Sequence, residues 1–143
     1  MMPAGKYYVG DLCYVMHNEW DEFCDLTIKG HQCLDGEFNL KDGRRFATFG
    51  TKWGDGEYRD QKGNRYSVDA GLIGCIRLED IDQTCPSNFL DGGTIVEFEH
   101  PFSTSGGRAE LNRDWDGIIR IGHLLIETDP EYDYEEEEEA YND

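Results

Sequence analysis

The chain lacks the marks of the common catalytic and targeting classes. It has no GxxxxGK[ST] phosphate loop, no GxSxG elbow and no HExxH helix, the signatures of P-loop, α/β-hydrolase and zincin chemistry. Its five cysteines, Cys13, Cys24, Cys33, Cys75 and Cys85, are odd in number and include no CxxC, so no disulfide framework or zinc knuckle is encoded. The opening M-M-P-A-G-K is not followed by the apolar run of a signal peptide, which predicts a reducing, cytoplasmic setting. No stretch approaches the length of a membrane-spanning helix. Nor is there a polybasic lipid-binding patch, so membrane association is not expected. Basic residues are scarce, 13 Lys and Arg against 31 Asp and Glu for a net charge of −18. Phosphate contacts need a basic surface, and direct nucleic-acid binding is therefore not expected either.

What is present is glycine and aromatic surface: 17 glycines and 13% aromatics in 143 residues, enough for one β-rich domain with a core of its own. The charge is unevenly spread. Residues 127–143 hold ten acids and no Lys or Arg, contributing −10, while residues 1–126 contribute −8. The predicted organisation is a single β-rich domain over 1–126 and an acidic tail over 127–143. The tail repels itself and has little to bury, which predicts disorder in isolation. Its segment Glu131, Tyr132, Asp133, Tyr134, Glu135, Glu136 and Glu137 alternates acids with tyrosines before the glutamate run. Such a strip can lie along a basic groove and imitate a nucleic-acid strand, which marks it as a candidate partner-binding element.

Alternating apolar residues and close-spaced turns predict strands at 6–10, 12–16, 36–40, 44–50, 56–60, 65–70, 72–78, 94–100, 108–111, 117–121 and 123–127. One helix is predicted between Asn18 as cap and Gly30 as terminator, with Glu19, Asp21 and Glu22 in its first turn and Trp20, Phe23, Cys24 and Ile28 as its apolar stripe. The expected fold is mostly β, a small antiparallel barrel or sandwich with one short helix and the acidic C-terminal tail.

The segment T-K-W-G-D-G-E-Y-R-D-Q-K-G-N-R-Y-S-V-D-A-G-L-I-G, Thr51 to Gly74, carries the most information. Gln61-Lys62-Gly63 suits a three-residue hairpin loop with glycine in the left-handed region. That loop pairs Asp60 with Asn64, Arg59 with Arg65, Tyr58 with Tyr66, Glu57 with Ser67 and Asp55 with Asp69. Tyr58, Tyr66 and Val68 then share one face, and like charges oppose each other on the other face, which is locally destabilising. Either the arginines lean diagonally onto acids, or the Asp55/Asp69 end awaits a cation, a ligand hydroxyl or a basic side chain. Glycines 54, 56, 71 and 74 bracket the hairpin and Trp53 precedes it, marking bends or close approaches. Trp53, Asp55, Tyr58, Arg59, Arg65, Asp69 and Gly71 are thus the candidate ligand-binding residues, suited to a small polar, nucleotide-like molecule. Seven of the thirteen bases, Lys41, Arg44, Arg45, Lys52, Arg59, Lys62 and Arg65, fall within twenty-five residues here.

Y-Y-V-G-D-L-C-Y-V at Tyr7 to Val15, with W-G-D-G-E-Y and Y-S-V-D-A-G-L-I-G, resembles a small family of tailed phages and large algal DNA viruses. The resemblance covers about the first half of the chain. It implies a viral origin and expression inside a host cell, and carries no function and no functional residue.

Asn112, Asp114 and Asp116 take the first three ligand positions of a calcium loop, with Gly117 at its turn and Ile119 at its apolar position, but His123 stands where the closing Glu belongs. His17, His31, Cys13, Cys24 and Cys33 match no zinc spacing. No metal and no cofactor is expected. Cys13 with His17 is the only local nucleophile–base pair, and the Asp55/Asp69 pair reads as surface-placed. The sequence therefore leans away from catalysis. It favours a non-catalytic viral binding protein whose acidic surface and tail engage a basic host or viral protein. Sequestration of a small nucleotide-like molecule, at a subunit boundary if the chain forms homo-oligomers, and a minor virion role are the alternatives.

Overall fold

The computed structural model describes residues 1–30, 32–106 and 117–128. The chain folds as an antiparallel β-sandwich. One sheet runs β4 (Gly36–Asn39), β5 (Arg45–Gly50), β8 (Leu72–Arg77), β1 (Gly5–Gly10) and β9 (Thr94–Phe98). The other runs β10 (Thr104–Ser105), β11 (Ile118–Ile121), β12 (Leu124–Glu127), β6 (Gly56–Asp60) and β7 (Arg65–Val68). A helix, α1 (Trp20–Thr27), and a hairpin of β2 (Ile28–Lys29) and β3 (Gln32–Cys33) lie between β1 and β4 in the chain. No helix among the described residues is long and apolar enough to cross a membrane.

Alternation places the core between the sheets: Tyr7, Val9, Phe49, Ile73 and Cys75 from the first, and Tyr58, Tyr66, Val68, Ile119, Ile121 and Ile126 from the second. The first sheet is also buried on its outer face, where Tyr8, Phe46 and Ile76 pack with Phe23 of α1 and with Leu12, Val15 and Met16. Sheets covered on both sides read as nearly continuous apolar runs, which is the pattern of R-F-A-T-F-G in β5 and L-I-G-C-I-R in β8.

The expected β6–β7 hairpin forms in the register its loop specifies, Arg59 opposite Arg65, Tyr58 opposite Tyr66 and Glu57 opposite Ser67. Gly63 takes φ +90°, and the buried Asp60 carboxylate ties the loop together. It accepts from the Lys62 and Asn64 amides at 2.8 and 3.0 Å, from Asn64 Nδ2 at 2.9 Å and from the Tyr66 hydroxyl at 2.7 Å. Burial opposes ionisation of Asp60, but the Tyr66 and Asn64 hydrogen bonds outweigh it and hold the carboxyl below its usual range. Because the folded value lies below the unfolded one, this stabilisation is complete above the ordinary carboxylate range and is lost as pH falls through the depressed value. Asp60→Ala is expected to cost about 2–3 kcal/mol near neutral pH. Urea midpoints at about pH 7 and about pH 2.5 should show the gap to the parent narrowing in acid.

Two expected elements differ. The segment 12–16 is a 3₁₀ turn, Leu12–Tyr14, followed by a second at His17–Glu19, rather than a strand. The reason is Asp11, which caps the first turn by accepting from the Cys13 amide at 2.9 Å. Asn18 does not cap α1 either. It sits in the second 3₁₀ turn and donates through Nδ2 to Asp82 and Thr84 at 2.8 and 3.2 Å. Ile28 leaves the helix for β2 and is exposed, and Gly30, at φ +56°, serves the β2–β3 turn. The expected strand at 108–111 lies outside the described residues. At the C-terminal end, Thr128 is fully buried, its amide and hydroxyl donating to the Gly117 carbonyl.

Candidate functional site

The hairpin end opposite the Gln61–Gly63 loop is organised by Asp11. This fully buried residue, at the exit of β1, sends Oδ2 to the amides of Asp69 and Ala70, both at 2.7 Å, while Oδ1 holds the Cys13 amide. One carboxylate therefore fixes the 3₁₀ turn carrying Tyr14 against the turn carrying Asp69. The Tyr14 hydroxyl donates to Asp69 Oδ2 at 2.7 Å. Burial, then that hydrogen bond, raise the Tyr14 pKa, so it remains a donor.

The facing loop is held as firmly. Thr51 donates its amide to the Gly71 carbonyl at 3.0 Å and its hydroxyl to the Gly54 carbonyl at 2.7 Å, and the Tyr58 hydroxyl also donates to Gly54 at 2.8 Å. Gly54 and Gly71 have φ +76° and +75°, a region that L side chains rarely adopt. Their backbones approach so closely that a Cβ on Gly71 would lie 3.9 Å from Gly54 Cα and 4.0 Å from Asp55 Oδ1. The outcome is a rigid edge that presents exposed Asp55 and Asp69 with Trp53 beside them, 53% of its surface open to solvent.

The structure brings together Trp53, Asp55, Asp69 and Gly71 of the predicted ligand-binding set, and separates the rest. Tyr58 turns inward at 6% exposure. Arg59 and Arg65 stand exposed nearer the other end of the hairpin. Of the two alternatives for the charged face, the diagonal pair is seen at one level, Arg65 reaching Glu57 at 3.8 Å; among the described residues no Lys or Arg pairs with Asp55 or Asp69. The basic cluster seen in sequence is likewise dispersed. Arg44 binds Glu19 and Asp42 at 2.7 and 2.8 Å, and Arg45 binds Glu37 at 2.6 Å, on the other sheet. The candidate partner-binding residues Glu131 to Glu137 lie outside the described residues.

The edge exposes two carboxylates and an indole, and its one thiol is not activated. Burial pushes the Cys13 thiol up, and the nearby Asp11, Asp69 and Asp55 push it further, the reverse of what activates a nucleophilic cysteine. Burial also raises Cys24, Cys75 and Cys85. Cys13 and His17 sit on successive 3₁₀ turns rather than on one strand face. The second half of the calcium-like stretch is strand β11, with Ile119 in the core and His123 exposed in the turn after it; Asn112, Asp114 and Asp116 lie outside the described residues. Among the described residues no three His, Cys, Asp or Glu side chains converge as a metal site.

Sequence reasoning missed Asp11 and Tyr14, because their partners lie 58, 59 and 55 residues away. The D-L-C spacing, an acid two residues before the amide it caps, was the available signal. No family model matches the chain, and no curated protein and no solved structure matches it significantly.

Proposed function

We propose that the chain is a non-catalytic binding protein that engages a basic protein surface through the Trp53/Asp55/Asp69 edge and the acidic tail. The observation that carries this reading is the pairing pattern: Arg44, Arg45, Arg65 and Arg77 are engaged by carboxylates of their own domain, while Asp55 and Asp69, exposed at the same end of the hairpin, have no basic partner among the described residues. A fixed pair of carboxylates next to an exposed indole suits an arginine or lysine of a partner, the cation set between the acids and its alkyl stem or guanidinium against the ring. The aromatic supplies contact area at low entropy cost, as at the anchors of protein interfaces. The tail adds long-range attraction that speeds encounter and weakens with salt. The resemblance to phage and algal-virus proteins supports a host or viral protein as the partner, inside an infected cell.

The tail contribution is tested by deletion. Thr128 belongs to the folded domain, so the deletion begins at 129. Removing 129–143 is expected to weaken binding to an arginine-rich peptide at least about tenfold at low salt, the two proteins converging as salt rises. Surface plasmon resonance at several ionic strengths makes the comparison, and equal affinity at low salt would remove the tail from the account.

A further inference from the structure

A cavity of about 140 Å³ lies between α1 and the outer face of the first sheet. Its roof is Trp20 and Phe23, stacked at 4.4 Å with their planes 8° apart. Its floor is Thr48 and Leu72. Two of the exposed large apolar residues of the molecule, Ile28 and Leu34, stand at this same opening, with the exposed Ala70. Thr48 is the unusual element. Its neighbours across β4 and β8 are Gly36 and Gly74, so no side chain flanks it on either adjoining strand. It is 3% exposed, and among the described residues its hydroxyl has no hydrogen-bond partner. A buried hydroxyl left this way carries a desolvation cost that a ligand group can remove.

We propose that this cavity is a binding site for a small uncharged molecule of about one aromatic ring bearing a single hydroxyl or amine. Volume sets the size, since an apolar cavity of about 150 Å³ accommodates a benzene ring. The stacked roof favours a planar ring, and the Thr48 hydroxyl selects one polar substituent. Anions are disfavoured: among the described residues no Lys or Arg lines the cavity, and the Asp35 carboxylate does. The cavity meets the docking edge at Ala70 and Gly71 but includes none of Trp53, Asp55 or Asp69, so variants of those three side chains test the edge and variants of Thr48 test the cavity.

The test uses the full chain with 4-fluorophenol and fluorobenzene as probes, followed by ¹⁹F NMR titration. The parent is expected to bind 4-fluorophenol with a Kd of about 0.1–1 mM. Thr48→Val keeps the shape and removes the hydroxyl; it should weaken 4-fluorophenol three- to tenfold, by about the worth of one hydrogen bond, while fluorobenzene binds as well or better. Thr48→Ser should restore 4-fluorophenol. Ala70→Phe, at an exposed rim position, should block both probes more than about tenfold by filling the opening while leaving the urea midpoint near the parent's. No binding to the parent would make the cavity a packing defect and overturn the proposal. Binding unchanged by both Thr48→Val and Ala70→Phe would place the probes elsewhere and overturn it equally.

Discussion

Replacing Asp11 by alanine is expected to lower the unfolding free energy by about 3–5 kcal/mol, the largest effect of any single polar substitution in the described domain. Three backbone amides, of Cys13, Asp69 and Ala70, lose their acceptor at once. The residue is fully buried, so water does not replace the carboxylate without opening the junction between β1, β7 and β8. Each stranded donor costs about 1–3 kcal/mol, tempered by partial relaxation. Total stabilities of small domains are about 5–15 kcal/mol, so the variant should be partly unfolded at physiological temperature. Asp11→Asn is expected to fall between the two, since its carbonyl still accepts while its amide group faces donors. Tyr14→Phe is the control. It removes one solvent-accessible hydrogen bond to Asp69 and should cost no more than about 1 kcal/mol. Urea unfolding followed by circular dichroism orders the three. An Asp11→Ala midpoint equal to that of Tyr14→Phe would mean that Asp11 does not organise the edge.

The second large effect concerns binding. Trp53→Ala combined with Asp55→Asn and Asp69→Asn is expected to weaken association with an arginine-rich peptide about 100-fold, of which the indole accounts for about 2 kcal/mol. The fold should survive. Trp53 and Asp55 are exposed, and Asn at 69 retains an oxygen for the Tyr14 hydroxyl and the backbone amide that Asp11 holds. Near-identical unfolding midpoints would separate lost contact from lost structure. Asp55→Lys with Asp69→Lys should go further and make the edge repel the peptide, with the largest difference at low salt. Affinity within about threefold of the parent in the triple variant would remove this edge from the interface.

The β6–β7 hairpin was legible in the sequence because its determinants are local. A three-residue loop ending in Gly63 sets the register, and the register fixes which side chains share a face. The Arg59/Arg65 level was legible too, though not its resolution, since whether Arg65 reaches Glu57 depends on side-chain packing. The basic cluster between Lys41 and Arg65 was misleading for a topological reason. Antiparallel strands adjacent in sequence went to different sheets here, Arg45, with Arg44 just before it, to one and Arg59 and Arg65 to the other. Leu12 to Met16 alternates as a strand would, but the Asp11 cap converts it to 3₁₀ turns, and the contacts that make the cap worthwhile come from residues 69 and 70. The cavity was least legible, because its walls come from α1, β5 and the segments around Leu34 and Gly71, and no short window of sequence contains them.

The most direct test of the central claim is an ¹⁵N-resolved NMR titration of the full chain with an arginine-rich peptide at low and high salt. The account predicts that shifts concentrate on the Trp53 indole and the amides of Asp55, Asp69, Ala70 and Gly71, saturate together, and recede as salt rises. Shifts confined to other parts of the domain, with these five signals unmoved at saturation, would contradict it.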